Sequence, residues 1–184
     1  MSDSLEQARQ VLQEADELYS ASEVEAAFED LARRISACMA ADNPLFLCVL
    51  TGAIVPAGQL LTRLDFPLEV DYLHATRYRG ETRGRDLQWI ARPQTPLKGR
   101  VVAVVDDILD EGHTLAAILD YCRQEGAAAV YSVVLVDKHH DRRVPGLKAD
   151  FHGLVVEDRY VFGQGMDYKG YHRNLPGIYA VRGH

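Results

Sequence analysis

Asp106, Asp107 and Asp110 crowd the end of the apolar run Val101-Val102-Ala103-Val104-Val105, and Glu111-Gly112-His113-Thr114-Leu115 follows without a break. Carboxylates at one strand end suit a divalent cation or the hydroxyls of a sugar. Gly112 lets the main chain approach a ligand without an intervening side chain, and the amides that open the next helix attract a phosphate. That attraction is modest, about 0.3–1 kcal/mol when exposed and up to about 2 when partly buried. Because carboxylates repel a phosphate, the anion belongs on the amides further along the loop and the sugar or metal on the acids. An ordinary strand end with an acidic helix cap contains the same residue types. A bare Asp-Asp favours that plainer reading; the full string from Val101 to Leu115 does not.

Several elements must position these groups. Val101–Val105 lacks alternation, the pattern of a strand buried on both faces inside a helix-covered parallel sheet. Leu115, Ile118, Leu119 and Cys122 share one face of a helix from about His113 to Glu125, closed by Gly126. Leu45–Leu50 is a second apolar strand, followed by Thr51-Gly52-Ala53 and a helix carrying Leu60, Leu61 and Leu64. Ala129–Val136 is a third, ending in Asp137-Lys138. Sheets of this type hold ligands at their carboxyl strand ends, where Asp106, Asp107 and Lys138 would converge. A lysine just past a core strand also commonly snorkels to solvent.

Glu69–Tyr78 reads as a strand, Arg79–Asp86 as a polar loop and Leu87–Ala91 as the returning strand. Phe151–Val156 and Gly177–Val181 are short strands. At the other end, Leu5, Ala8, Val11, Leu12, Ala15 and Leu18 predict one amphipathic helix over 4–19. Ser22-Glu23-Val24-Glu25 has the spacing of a capping box opening a second helix to about Ala41, which Asp42-Asn43-Pro44 ends. His139-His140 and Arg142-Arg143 read as solvated loop, adjacent histidines being a weak metal signal.

Composition narrows the function. With 184 residues and 47% hydrophobic content the chain can bury one core. A net charge of −7 argues against nucleic acid as partner, since a phosphate backbone demands a basic face. No apolar run reaches membrane-spanning length and the first residues are polar and acidic, so the expected location is cytoplasmic. Cys38, Cys48 and Cys122 are odd in number and far apart, which supports packed thiols over disulfides or zinc.

Val101 to Leu115 resembles the 5-phosphoribosyl 1-pyrophosphate (PRPP) signature of the type I phosphoribosyltransferases, and later residues are similar to the hypoxanthine-guanine phosphoribosyltransferases. The resemblance implies an α/β fold: a mainly parallel sheet flanked by helices, with a small hood from the chain ends. It implies a single domain over 1–184, with N-terminal helices in 1–43, the core in 44–150 and a purine-side hood segment in 151–184. The activity implied is transfer of 5-phosphoribose from PRPP to a 6-oxopurine with Mg²⁺, by a homodimer or homotetramer without nucleic-acid or membrane partners.

Residue by residue, the resemblance assigns Asp110, Glu111, Gly112, His113, Thr114 and Leu115 to the 5′-phosphate and Asp106 and Asp107 to ribose hydroxyls and magnesium. Thr51-Gly52 matches the pyrophosphate loop, where the family usually has a basic residue before the glycine, and Arg173 is a further pyrophosphate ligand. Asp110 is the general base or acceptor at purine N7, and Lys138 the donor to O6. Tyr160 takes the stacking position, Val161 a backbone contact to the base, and Asp167 a second magnesium. Spacing alone equally permits Tyr160 and Phe162 to form a hydrophobic edge. Arg77-Tyr78 opens the lid, with Arg77 and Arg79 placed to supply the charge that Thr51 lacks. Two other readings compete. A nucleotide- and RNA-binding regulator on the same fold requires a basic face, and a transferase preferring xanthine or a pyrimidine would differ in contacts that sequence does not reveal.

Overall fold

The computed structural model describes residues 2–77 and 87–183. In chain order the elements are α1 (Ser2–Glu14), β1 (Asp16–Tyr19), α2 (Ala21–Met39), β2 (Leu45–Val49), α3 (Ile54–Leu61), β3 (Glu69–Arg77) and β4 (Leu87–Ala91). There follow β5 (Val101–Leu109), α4 (His113–Gln124), β6 (Ala129–Lys138), β7 (Phe151–Val156), β8 (Val161–Phe162) and β9 (Ile178–Ala180).

Six strands form the main sheet in the order β4-β3-β2-β5-β6-β7. Every neighbouring pair is parallel except β3 and β4, which are antiparallel. Burial explains the order: all five residues of β2 and Val102–Val105 of β5 are buried, as central strands covered on both faces require. Helix α2 packs on β7 and α3, while α4 packs on β3, β5 and β6. Phe28, Leu31 and Ile35 of α2 are fully buried, each worth about 1.5–3 kcal/mol of apolar transfer. The parallel register sets Leu109 opposite Asp137, so the carboxyl ends of β5 and β6 open side by side.

A second, three-stranded antiparallel sheet has the order β1-β9-β8 and forms the hood from both ends of the chain. Here the expected helix over 4–19 is corrected, because α1 stops at Glu14 and Asp16–Tyr19 becomes a strand. Leu18 satisfies helical spacing, but pairing with β9 overrides it. Tyr19 Oη also donates to the Val155 carbonyl at 2.6 Å, and Arg159 pairs with Asp16 at 2.6 Å. The capping box moves with it. Ser20, not Ser22, caps α2: its hydroxyl accepts from the Glu23 amide, and the Glu23 carboxylate accepts from the Ser20 amide at 2.8 Å. Both serines have a glutamate three residues on, and the end of β1 at Tyr19 decides between them.

Candidate active site

The two central strand ends build one wall of the site. Asp106 Oδ1 accepts from the Asp107 amide at 2.9 Å, and Asp107 Oδ1 from the Ile108 amide at 2.8 Å. Burial pushes the Asp106 carboxyl well above the usual range, and the neighbouring Asp107 charge adds to it. Asp107 is raised too: its burial outweighs the hydrogen bonds from Asp106 and the Ile108 amide and the nearby Arg173 charge. Against this pair lies the turn after β2, whose Leu50–Thr51 peptide is cis. A Cβ on Gly52 would stand 2.6 Å from Asp107 Cγ, so only glycine fits there.

From the end of β6, Lys138 Nζ reaches back to Asp110 Oδ2 at 2.7 Å. The other carboxylate oxygen, Oδ1, is 2.6 Å from His140 Nε2. Burial raises the Asp110 carboxyl, but the hydrogen bond and charge of Lys138 and then those of His140 more than offset it, leaving the group below its ordinary value. The expected solvated loop at His139–Arg143 is corrected for two of its residues. His140 has only 2% of its side chain exposed, and Arg143 is mostly buried. Arg143 donates to the Leu109 carbonyl at 3.2 Å, to Asp137 Oδ1 at 2.5 Å and to the Lys138 carbonyl, tying the ends of β5 and β6 together. Sequence offered no local signal for this, because the acceptors lie on two strands whose ends only the sheet brings together.

The anion loop runs from Asp110 into α4. Gly112 is its N-cap with φ +82°, so no side chain covers the amides of the first turn. Its missing Cβ faces Leu147 and Leu109, at 2.9 Å from Leu109 Cδ1. Backbone conformation and packing beneath the loop therefore require the glycine, in addition to any approach from above. Thr114 is half-buried, Leu115 buried and His113 exposed, with His113 Nε2 3.7 Å from Glu111 Oε2.

The hood supplies the facing wall. Tyr160 is 46% exposed and meets Tyr168 edge-on at 5.6 Å, whereas Phe162 is buried and stacks on Tyr179 at 5.8 Å. The two aromatics thus have different surroundings, one open and one in the hood core. Arg173 pairs with Asp167 Oδ1 at 2.5 Å, stands 4.0 Å from Asp107 Oδ2 and donates to the Gly165 carbonyl. Gly165, at φ +98°, lies against the Gly52 carbonyl, so the hood turn seats on the Thr51-Gly52 turn. Between the walls is a cavity of about 220 Å³ lined by Asp107, Ile108, Asp110, Lys138, Tyr160, Val161, Met166 and Asp167.

Among the described residues no group of three or more His, Cys, Asp or Glu side chains is arranged as a metal cage. Of the expected lid, Arg77 is the last residue of β3, opposite Leu87; Tyr78 and Arg79 lie outside the described residues.

Comparison with known proteins agrees with this geometry. The family model described as "Phosphoribosyl transferase domain" matches residues 14–169. The chain is 34% identical over 161 residues to a hypoxanthine-guanine-xanthine phosphoribosyltransferase of Tritrichomonas foetus, covering 88% of each. It is 32% identical over 166 residues to the hypoxanthine-guanine phosphoribosyltransferase of Bacillus subtilis, covering 90% of this chain and 92% of that one. A solved hypoxanthine-guanine-xanthine phosphoribosyltransferase superposes with a TM-score of 0.82 at 32% identity, over 90% of this chain and 96% of the other. The chain therefore belongs to the phosphoribosyltransferase family, among its hypoxanthine-guanine members.

Proposed function

We propose that the chain transfers 5-phosphoribose from PRPP to N9 of hypoxanthine or guanine, forming IMP or GMP and pyrophosphate. The observation that carries this is the Lys138–Asp110 pair on the wall of the cavity that Tyr160 and Val161 also line. A 6-oxopurine presents an acceptor, O6, beside a donor, N7–H. That order complements an ammonium beside a carboxylate. Adenine presents an amino group where Lys138 would donate, leaving two donors face to face.

In the reaction the N9–C1′ bond forms as the bond from C1′ to pyrophosphate breaks, and the N7 proton passes to Asp110 or is held by it. Positive charge grows on the ribose ring and negative charge on the leaving group, so catalysis is mainly positional and electrostatic. Amides of Glu111 to Leu115 and the Thr114 hydroxyl take the 5′-phosphate. Asp106 and Asp107 take the ribose hydroxyls. Thr51-Gly52 and Arg173 face the pyrophosphate, and Tyr160 stacks on the base.

Magnesium fits the donors present. Asp106 and Asp107 are adjacent buried carboxylates, both raised chiefly by burial, with the Asp107 charge adding to it at Asp106, and a divalent cation offsets that cost. Magnesium needs only one or two carboxylates, completing its shell with water and substrate phosphates, which suits a site without a protein cage. Asp106 and Asp107 would hold one ion and Asp167 a second; the metal supplies charge neutralisation for pyrophosphate.

The same reading takes residues 1–184 as one domain acting in the cytoplasm as a homodimer or homotetramer, with no nucleic-acid or membrane partner. No described helix is long and apolar enough to cross a membrane. The test is a panel of PRPP and Mg²⁺ with hypoxanthine, guanine, xanthine, adenine and uracil, products separated by chromatography. IMP and GMP without AMP are expected, and none when magnesium is chelated; AMP alone would overturn the assignment.

A further inference from the structure

His140 lies in a segment whose sequence suggests only a solvated loop, yet its ring is buried and engaged at both nitrogens. Nε2 is 2.6 Å from Asp110 Oδ1, and Nδ1 accepts the Arg142 amide proton at 3.1 Å. An amide donor leaves no room for a proton on Nδ1. The imidazole proton therefore sits on Nε2 and is donated to Asp110, with the ring orientation set from behind by main chain.

Asp110 thus has two donors of unlike character. Lys138 holds Oδ2 through a four-carbon stem that can swing. His140 holds Oδ1 through a ring with two torsions and a locked tautomer. On the function proposed above, purine binding draws the Lys138 ammonium toward O6 and asks Asp110 Oδ2 to meet N7–H. At that moment the lysine can no longer fix the carboxylate alone. Building on that reading, we infer that His140 is a positioning residue for purine binding: it clamps Asp110 Oδ1 so that Oδ2 stays aimed at the base when Lys138 changes partner.

Apart from the Arg142 amide's bond to His140, the loop is anchored at several other points. Arg143 ties it to β5 and β6, Arg142 makes a two-point pair with Asp158 at 2.7 and 2.8 Å, and the Val144 amide donates to the Glu111 carbonyl at 2.9 Å. His140 also borders a hollow of about 420 Å³ with His139, Asp141 and Arg143. Truncating the ring would admit water to Oδ1, a donor without fixed direction, and the effect is therefore a partial loss.

The test is steady-state kinetics of the full chain with PRPP, Mg²⁺ and hypoxanthine, each substrate varied in turn, for His140→Ala, His140→Phe and His140→Gln. Loss of one charge-assisted bond corresponds to roughly a tenfold or greater change. H140A and H140F are expected to raise KM for hypoxanthine by about that factor, with KM for PRPP within about twofold of wild type. H140Q, whose amide nitrogen can occupy the Nε2 position, is expected to recover to within about threefold. The phenylalanine and glutamine variants both fill the ring's space, so their comparison decides even if H140A folds poorly. An active wild type with H140F equal to it or to H140Q, or with both KM values rising together, overturns the inference alone. A wild-type chain inactive with every base overturns the proposed function and this inference with it.

Discussion

Lys138 Nζ and Asp110 Oδ2 are 2.7 Å apart, although one residue ends β6 and the other lies in the turn just past β5. The lysine side chain is 10% exposed and the aspartate 42%, so water reaches the pair from the carboxylate side, where a ligand would enter. Neither partner is idle before a substrate arrives: a base must take over a bond that each already makes.

Lys138→Met keeps the stem and removes the ammonium. A hydrogen bond to a charged group is worth about 1.5–3 kcal/mol, so kcat/KM for hypoxanthine should fall by roughly ten- to a hundredfold. KM for PRPP should change far less. Discrimination against adenine should also weaken, which competition between the two bases would show. Unaltered base selectivity would remove Lys138 from the purine pocket.

Asp106→Asn retains the oxygen that accepts the Asp107 amide while removing a carboxyl whose ionisation is opposed first by burial and then by the Asp107 charge. We expect a variant more heat-stable than wild type without magnesium, by about 2–4 °C for each kcal/mol of that cost relieved, yet much less active with it. Thermal unfolding in chelator, beside initial rates with magnesium, checks both. A lower melting temperature would mean that the buried Asp106 carboxyl does not carry the cost that its burial implies.

Gly52 and Gly58 should respond oppositely to alanine. At Gly52 the new Cβ would press on Asp107, and overpacking of this kind costs about 1–3 kcal/mol while shifting a site carboxylate. At Gly58, inside α3, an added Cβ meets nothing within 4 Å, and helix propensity predicts a gain of about 0.5–1 kcal/mol. Denaturant titration of the two variants measures the contrast.

Two hydrogen bonds from Arg142 hold the exposed Asp158 carboxyl down to about 2. Because the native value lies below that of the unfolded chain, near 3.9, the unfolded state binds more protons between them. The pair's stabilisation is therefore present above about pH 4 and lost as pH falls through about 2. Asp158→Asn should lose less stability than wild type over that interval, with the difference shrinking in high salt. Parallel melting curves across the interval would contradict it.

Burial pushes the Cys48 and Cys122 thiols up to about 11, so neither forms much thiolate near neutrality, while Cys38 is exposed. Brief alkylation of the native chain at about pH 8 should add one label, at Cys38. Denaturant should release the other two. Mass spectrometry of the digested product distinguishes the sites.

The sequence by itself determined β2, β5, β6 and α4, because apolar runs without alternation and a four-residue apolar face are local patterns that call for burial. It also determined that Asp106, Asp107 and Lys138 stand at carboxyl strand ends, since a parallel sheet aligns those ends whatever its neighbours. The tertiary structure alone decided the rest. Asp16–Tyr19 turned from helix to strand through partners more than 150 residues away, and that choice moved the helix cap from Ser22 to Ser20. His140 and Arg143 entered the site because their acceptors on Asp110 and Leu109 lie about thirty positions back in the chain. A hydrogen bond between distant residues leaves no periodicity in the letters around it, so only the packed sheet and its loops could reveal which polar side chains were buried.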